Sequence, residues 1–338
     1  MKSVQIYPPF DALYYSFYVR ALQEYFGEAK VKFSYKNFPP LSSNYFGFII
    51  EGRESLRVVI DAYDGSRIND KGALEWCDVF GKINLLFSSV PSDSLHKCVA
   101  IGPSFPIQLW SLFKSFRNSL IHYRPYARTR STREHFANYV RQYRDRLPLS
   151  YFVPGTVREN FIFFSSSIWT EEEAPGTNQV RASFMEVCKS MKGVTFEGGF
   201  SPRLDEFAQR YQANFAAKRY PFPEWLEKIK ASVVVFNTPA VWRSHTFKLA
   251  EFLALGKAII SAPILRELPA PLVHGQHVHY VDGSIKSIRD AVMLIVNDCN
   301  YRMHLERNAY EYYLSHLQPI KVIERLLNHR NRNRPALT

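Results

Sequence analysis

The stretch 244–261 constrains the fold of this chain most, because an amphipathic helix is followed there by a glycine and a buried strand. Thr246, or the serine two residues before it, can cap a helix whose body is 247–255. Gly256 stands where a left-handed helix end is favoured, and the apolar run 258–260 predicts a strand inside a sheet. A helix that leads directly into a buried strand is typical of α/β proteins.

Charge is concentrated at the start of this helix. Lys248 and Glu251 are three residues apart and share one helix face, and His245 lies at the open N-terminus. On a solvated helix such a pair contributes only about 0.2–0.5 kcal/mol. At a ligand site the same helix start would bind an anion, such as a phosphate, through its free N–H groups and its dipole. These residues alone leave both interpretations open.

The length of 338 residues exceeds one ordinary domain of about 100–200 residues and indicates two domains that share a cleft. Hydrophobic residues at 46% and aromatic residues at 15% indicate a globular chain. No run of about 18 apolar residues and no signal-peptide pattern is visible, so we expect a cytoplasmic protein. Four cysteines form no Cys-x-x-Cys pair and are expected to be buried thiols: Cys77, Cys98, Cys188 and Cys299.

The formal net charge of +12 implies a polyanionic partner, for which nucleic acid, anionic lipid head groups and nucleotide diphosphates qualify. A helix predicted over 131–146 carries basic and aromatic residues and suits either a solvated face or a membrane surface. Arginine with tyrosine also binds single-stranded nucleic acid, but the sequence has no zinc-finger spacing and no RNA-recognition signature. The basic residues cluster in the tail 329–334 and at Arg124, Arg128, Arg130, Arg133, Arg141, Arg144 and Arg146, near Tyr123, Tyr126 and Tyr143.

Strands and helices alternate along the chain, which predicts doubly wound sheets. The N-terminal half begins with a β-α-β unit in which Asp11 caps the first helix. A cluster of prolines and a glycine at 147–155 predicts a linker. The predicted N-terminal elements are strands at 3–7, 31–35, 45–50, 56–61, 79–86 and 97–101 and a helix that ends at 26.

The C-terminal half reads as a second α/β domain. A strand at 161–165 is followed by a helix over 178–191, which carries Asn178 and Arg181 in its first turn. The apolar strand 232–236 ends at Asn237, and a loop then leads to the charged helix at the carboxyl edge of the sheet, where α/β folds bind ligands. The remaining predicted elements are a strand at 194–197 and helices at 223–230, 285–297, 301–317 and 320–329.

The segment 228–297, with its strand, loop, charged helix, Gly-Lys turn and His274-Gly-Gln-His loop, resembles the C-terminal domain of GT-B glycosyltransferases of bacterial polysaccharide synthesis, of the group 1 or family 4 type. The resemblance weakens toward 161, and the N-terminal half matches only in pattern. It implies two Rossmann-like domains facing across a cleft. Their expected bounds are 1–150 for the acceptor domain, 156–310 for the nucleotide-sugar domain and 311–330 for a crossover helix that packs back toward the first domain.

The resemblance implies roles for individual residues. Glu251 would accept hydrogen bonds from the ribose hydroxyls, and Lys248 with Arg181 would bind the diphosphate. Arg243 stands where retaining relatives have a second glutamate, so the retaining motif is incomplete and the stereochemical outcome is left open. The other residues expected to line the donor site are Arg243 itself, Thr246, Phe247, His245, Asn178, Asn237 and His274.

The N-terminal half offers carboxylates that could act as the base for an acceptor hydroxyl. Asp61 and Asp64 follow a predicted strand, although a turn would also explain them. Asp11 lies in the first β-α loop, where capping a helix is the alternative. His277 and His279 share a strand face with no carboxylate or cysteine nearby, so no metal is expected.

We therefore expect a cytoplasmic glycosyltransferase, peripheral at the inner face of the cell membrane, that uses a UDP- or GDP-linked sugar without a required metal. Its acceptor would be a saccharide or a lipid-linked saccharide of capsule or other surface polysaccharide synthesis. Two alternatives stay open. One is a glycosyltransferase-like subunit that binds the donor without turnover, and the other is a nucleic-acid-binding protein.

Overall fold

The computed structural model describes residues 3–123 and 131–332 and confirms the α/β class. Arg124, Arg128, Arg130 and Tyr126 of the basic segment lie outside the described residues, as does the end of the basic tail. The chain divides into two compact units. Unit 1 comprises 1–149, 266–269 and 316–338, and unit 2 comprises 150–265 and 270–315.

Unit 1 is built on a mixed sheet with the strand order β2-β1-β3-β4-β5-β6. β3 pairs antiparallel with β1 and with β4, whereas the other pairs are parallel. β3 and β4 pair antiparallel because the short connection 52–55 can join them only as a hairpin. The strands are β1 (Ser3–Ile6), β2 (Val31–Phe33), β3 (Tyr45–Glu51), β4 (Leu56–Asp61), β5 (Val79–Lys82) and β6 (Cys98–Ala100).

Four helices of unit 1 are α1 (Ser16–Phe26), α2 (Lys71–Trp76), α3 (Leu112–Ile121) and α4 (Thr132–Arg144). α1 begins at Ser16, so the expectation that Asp11 caps it is wrong. The side chain of Asp11 instead accepts the N–H groups of Leu13 and Tyr14, which forms a separate turn before the helix. α4 forms as predicted, with a capping box between Ser131 and Glu134.

Unit 2 contains parallel strands only, among the described residues. One group has the order β11-β10-β9 and the other is the pair β7-β8. The N–H of Val233 donates to the Phe161 carbonyl at 2.8 Å, and the N–H of Phe163 donates to Ser232 Oγ at 2.9 Å, so the chain before β9 lies beside β7. The strands are β7 (Phe161–Ser166), β8 (Thr195–Phe200), β9 (Val235–Asn237), β10 (Ile259–Ser261) and β11 (His279–Tyr280).

Helices and strands of unit 2 share a core in which the rings of Phe184 and Phe236 stack with centroids 4.4 Å apart. Cys77, Cys98 and Cys188 are buried as predicted, but Cys299 is exposed because it opens a helix at the surface. That helix ends at Tyr312, earlier than predicted, and a π-turn follows over Tyr313–Leu317. The helices are α5 (Thr177–Ser190), α6 (Glu206–Gln209), α7 (Phe222–Ala231), α8 (Phe247–Ala254), α9 (Ile285–Asn297) and α10 (Cys299–Tyr312).

The last helix, α11 (Pro319–Arg332), belongs to unit 1 and packs against α1. Leu326 is buried, and a β-carbon placed on Gly81 of β5 would lie 2.8 Å from its Cδ2 atom. The start of the basic tail is also engaged, since His329 hydrogen-bonds the His96 carbonyl at 2.9 Å. Among the described residues, no helix is both long enough and apolar enough to cross a bilayer.

Candidate functional site

The charged helix α8 forms with the ends that its sequence predicts. The hydroxyl of Thr246 accepts the N–H of Leu249 at 3.1 Å and so caps the first turn. Gly256 has φ +57°, and the N–H of Lys257 reaches the Phe252 carbonyl at 3.0 Å. This left-handed ending turns the chain from α8 directly into β10.

Hydrogen bonds hold the start of α8 against the carboxyl ends of two strands. Asn237, the last residue of β9, donates from Nδ2 to Ser261 Oγ at 2.9 Å. Its Oδ1 atom accepts the hydroxyl of Thr246 at 3.2 Å. The N-terminus of α8 is therefore placed at the edge of a parallel sheet where α/β proteins bind ligands.

The loop before α8 has an unusual backbone. Trp242 and Arg243 are consecutive non-glycine residues in the left-handed region, with φ +51° and +60°. The N–H of Trp242 donates to the Glu173 carbonyl at 2.7 Å, which holds this conformation. Left-handed side-chain residues require support from the surrounding structure and are concentrated at functional sites. Arg243 is exposed, and Ser244 beside it has a buried hydroxyl with no hydrogen-bond partner among the described residues.

Two cationic side chains meet at the carboxyl end of β7. Arg181 is 4% exposed, donating from Nε to Thr238 Oγ1 at 2.8 Å and from Nη1 to the Ser167 carbonyl at 3.1 Å. Lys248 is half-buried and donates from Nζ to the Ser165 carbonyl. Each hydrogen bond ends on a neutral oxygen, and among the described residues neither cation forms an ion pair.

Burial and mutual repulsion both act on this cation pair. Burial lowers the pKa of Arg181 to about 10. Burial, and next the charge of Arg181, lower the pKa of Lys248 to about 7, against the opposing effect of Glu251. Buried charges are normally paired, and an anionic ligand would stabilise two neighbouring cations whose hydrogen bonds end on neutral oxygens.

Glu251 lies one turn after Lys248 on α8 and is buried. Its charge acts on Lys248, which brings the acid and both cations into one electrostatic cluster. We call Arg181, Lys248 and Glu251 the charged cluster. Cations next to an acid provide donors for phosphate oxygens and an acceptor for hydroxyl groups.

Other predicted donor residues take supporting positions. Asn178 is fully buried, donates to the Trp169 carbonyl at 2.6 Å and accepts the Trp169 N–H at 3.1 Å, so it fixes the loop after β7. Phe247 opens α8 and is half-buried, and His245 just before it is buried.

The histidines near β11 form a local arrangement of their own. His274 is exposed, and its Nδ1 accepts the N–H of Tyr280 at 2.9 Å. His277 Nδ1 accepts the N–H of Val273, and His279 Nδ1 lies 2.8 Å from the Tyr301 hydroxyl. In the part of the chain that the structure describes, no group of three or more His, Cys, Asp or Glu side chains could hold a metal ion.

In unit 1 the candidate base Asp61 is part of a buried ion pair. Its Oδ2 lies 2.6 Å from Lys82 Nζ, and both side chains are essentially inaccessible to solvent. Oδ1 accepts the N–H of Tyr63 at 2.8 Å. Burial raises the pKa of Asp61, with Lys82 acting in the opposite direction. These contacts account for Asp61 as a structural residue that joins the ends of β4 and β5.

The other two candidate carboxylates share a pocket of about 130 Å³ in unit 1. Asp11 and Asp64 line it together with the exposed rings of Tyr14 and Tyr63. Oδ2 of Asp11 also accepts Nδ2 of Asn138 at 3.0 Å, so Asp11 is held from two sides. Aromatic rings beside hydrogen-bonding groups are the usual lining of a small polar-ligand pocket.

Several functional features were not predicted from the sequence. The two cations donate to the backbone carbonyls of Ser165 and Ser167, and because every residue has a carbonyl, residue type does not identify these acceptors. The partner of Asp61 could have been found, because Lys82 ends the next buried strand and the ends of parallel strands meet at one edge. Asp11 and Asp64 line the same pocket because distant loops come together in the fold, and the sequence does not show this.

No protein-family model matches this chain, and no curated protein matches it. Among solved structures it is similar to the C-terminal domain of a group 1 glycosyl transferase, LpcC, from Francisella tularensis, with 17% identity, a TM-score of 0.35 and coverage of 49% of this chain and 96% of that chain. A glycosyltransferase from Rickettsia africae is 10% identical, with a TM-score of 0.46 and coverage of 93% and 75%.

Anabaena HepE, solved in complex with UDP and glucose, is 11% identical, with a TM-score of 0.43 and coverage of 78% of this chain and 66% of that chain. At identities this low and TM-scores below 0.5, these similarities assign neither activity nor substrate to this chain.

Proposed function

We propose that this chain is a glycosyltransferase that binds a nucleoside diphosphate sugar in unit 2 and transfers its sugar to a saccharide acceptor. The observation that carries the proposal is the pair of cations, Arg181 and Lys248, at the carboxyl edge of a parallel sheet, whose hydrogen bonds end on neutral oxygens and which form no ion pair among the described residues. A diphosphate would bring negative charge and several acceptor oxygens next to both cations. The capped N-terminus of α8 adds N–H groups and a favourable dipole.

In this proposal each member of the charged cluster has a separate task. Arg181 and Lys248 bind the diphosphate, and Glu251 accepts hydrogen bonds from the ribose diol. When the bond from the sugar to the diphosphate breaks, negative charge grows on the leaving oxygen, and the two cations stabilise it. Asn178 and Asn237 act as positioning residues, because they hold the loop after β7 and the start of α8.

For the acceptor we propose the pocket of Asp11, Tyr14, Tyr63 and Asp64 in unit 1. A carboxylate there would take the proton of the attacking hydroxyl, and a tyrosine ring would pack against the face of a sugar. Asp64 is the better candidate base, since it is exposed and Asp11 is held by Asn138. A saccharide or lipid-linked saccharide of surface polysaccharide synthesis is the acceptor class that the sequence resemblance suggests.

The test is release of nucleoside diphosphate from a panel of UDP- and GDP-linked sugars. We expect the wild-type chain to hydrolyse at least one donor slowly and Lys248→Met to lose this activity. Lys257→Met is the matched control, because the Nζ of Lys257 likewise donates to a carbonyl, that of Lys230, and Lys257 is not part of the charged cluster. Binding without any turnover would favour the inactive-subunit alternative.

The aromatic rings of the basic helix α4 are poorly placed for binding nucleic acid. Tyr139 of α4 is buried, and Phe136 stacks on Tyr123, so these rings are not presented for stacking on bases. Tight binding of a single-stranded oligonucleotide that falls steeply with salt would restore that alternative.

A further inference from the structure

α3 exposes its apolar residues and buries its uncharged polar ones, the reverse of an ordinary surface helix. Its exposed side carries large apolar residues, with Phe113 73% exposed and Phe116 63% exposed. The complete set of exposed apolar side chains on α3 is Leu112, Phe113, Phe116, Leu120 and Ile121. Surface helices normally place such residues toward the core and polar residues toward water.

The side of α3 that faces the protein is polar. Ser115 accepts Nε2 of Gln142 at 3.2 Å, and the Ser119 carbonyl is 2.8 Å from Nε2 of His135. Both partners belong to α4, and Asn118 is buried with them. Because these buried groups have specific partners, a rotation of α3 that hid its apolar side would leave them unsatisfied. The exposed apolar side is therefore a fixed feature of the fold.

The geometry of the exposed side is that of an interfacial helix. Leu112, Phe116 and Leu120 follow at four-residue intervals with Phe113 beside them, which covers an arc of about 100°. Lys114 and Arg117 are exposed next to this arc, and α3 contains no acidic residue. Lys114 has one ion pair, with Glu28 at 3.3 Å, in which both side chains are largely exposed. Such a pair is weak and exchanges readily with other anions.

We propose that α3 is a membrane-docking helix that inserts its apolar side into the surface of an anionic lipid bilayer. Phe113 and Phe116 enter the boundary between head groups and acyl chains, and Lys114 and Arg117 contact lipid phosphates. The charge supports this occupant, since a basic rim beside an apolar arc, on a chain of net charge +12, complements an anionic surface. The proposal is independent of the donor site.

The proposed membrane-binding helix is thus α3, whereas the sequence indicated the helix over 131–146, which is α4. α4 has one more basic residue than α3, with exposed Arg133, Arg141 and Arg144, but its aromatic Tyr139 is buried. α4 can add electrostatic attraction but has little apolar surface to insert, and its exposed apolar side chain is Val140. Stable attachment needs both contributions.

The test is co-sedimentation of the full chain with vesicles of phosphatidylcholine alone and of phosphatidylcholine with phosphatidylglycerol. We expect binding to the anionic vesicles, and a fall on the order of tenfold in the partition coefficient for the double variant Phe113→Ser, Phe116→Ser. Lys114→Glu with Arg117→Glu should reduce binding to anionic vesicles. The matched control is Leu204→Ser, which removes a 97% exposed apolar side chain of unit 2 and should leave binding unchanged.

Three outcomes would overturn the proposal. One is a wild-type chain that stays in the supernatant with anionic vesicles, and another is a double variant that binds as well as the wild type. The third is a concentration-dependent dimer in sedimentation velocity that the same double variant abolishes, which would assign the apolar side to a second copy of this chain. An unchanged melting temperature of the double variant confirms that the effect does not come from unfolding.

Discussion

Replacement of Lys248 by methionine tests whether the charged cluster binds a nucleoside diphosphate. Methionine keeps most of the length and apolar stem of lysine but removes the Nζ atom and its charge. A hydrogen bond to a charged group contributes about 1.5–3 kcal/mol. We therefore expect the Kd for a bound nucleoside diphosphate to rise about 10- to 150-fold. Arg181, which lies in the same cluster, should keep the remaining affinity measurable.

The pH dependence of binding carries a second signature. Because burial and Arg181 hold the pKa of Lys248 at about 7, its charge is lost as the pH rises through 7. A diphosphate favours the protonated form, so affinity should fall by up to about tenfold per pH unit above 7. The phosphates of the ligand titrate as well. The ratio of wild-type to Lys248→Met affinity removes that contribution, and the ratio itself should fall toward one at high pH.

The free energy of unfolding of the ligand-free chain should rise with pH, whereas the affinity for a diphosphate falls. The folded chain holds the pKa of Lys248 at about 7, below its ordinary value of 10.5. Between these values the unfolded chain binds the additional proton, so the contribution of Lys248 to the free energy of unfolding rises with pH and is lost as the pH falls toward 7. Lys248→Met should flatten this part of the profile.

Isothermal titration of UDP and of GDP between pH 6 and 9 measures the affinity and its pH dependence, and urea titration of the ligand-free chain over the same range measures the change in stability. In buffers of different ionisation enthalpy, the wild type should take up protons on binding more than Lys248→Met does, and Lys257→Met should behave like the wild type. The reasoning is refuted if Lys248→Met binds nucleotide as tightly as the wild type, or if the affinity ratio does not change with pH.

Three further substitutions test separate parts of the structure. Lys82→Met leaves the buried carboxylate of Asp61 without its cation, so we expect urea titration to show a loss of about 3–5 kcal/mol in the free energy of unfolding; an equally stable variant would contradict a structural role for this pair. Glu251→Gln removes the acceptor charge, so the Kd for UDP or GDP should rise on the order of tenfold in the same titration, and an unchanged Kd would exclude Glu251 from the site. Gly256→Ala places a β-carbon in a left-handed conformation 3.3 Å from the Glu306 carbonyl oxygen, so we expect a loss of about 1–2 kcal/mol and a lower melting temperature; full stability would show that the helix end adapts.

Local rules predicted the segment around α8 well. Thr246 as a cap, Gly256 as a left-handed ending and a strand directly after it each follow from residue type and spacing, and each is confirmed. The placement of Lys248 on the helix face with Glu251 also follows from spacing. Spacing does not show the partner of each side chain, because the carbonyls that accept from Lys248 and Arg181 lie at the end of β7 and just after it, in another element of the fold.

The features that the sequence does not predict depend in the same way on contacts between elements. The antiparallel direction of β3 follows from its short hairpin connection to β4, and hydrophobic periodicity does not predict the direction of a strand. α3 has apolar residues at helical spacing, and such a pattern indicates a helix but not which side faces the core. Its orientation is decided by hydrogen bonds from Ser115 and the Ser119 carbonyl to α4.

The melting temperature of the wild-type chain with UDP, GDP, ADP, CDP or inorganic pyrophosphate tests the central claim most directly. A ligand that binds only the folded chain adds about 2.7 kcal/mol of stability at about 100 times its Kd. We predict that at least one nucleoside diphosphate raises the melting temperature more than pyrophosphate does, and that Glu251→Gln removes this difference. If no nucleotide raises the melting temperature of the wild type, the charged cluster of unit 2 is not a nucleotide site.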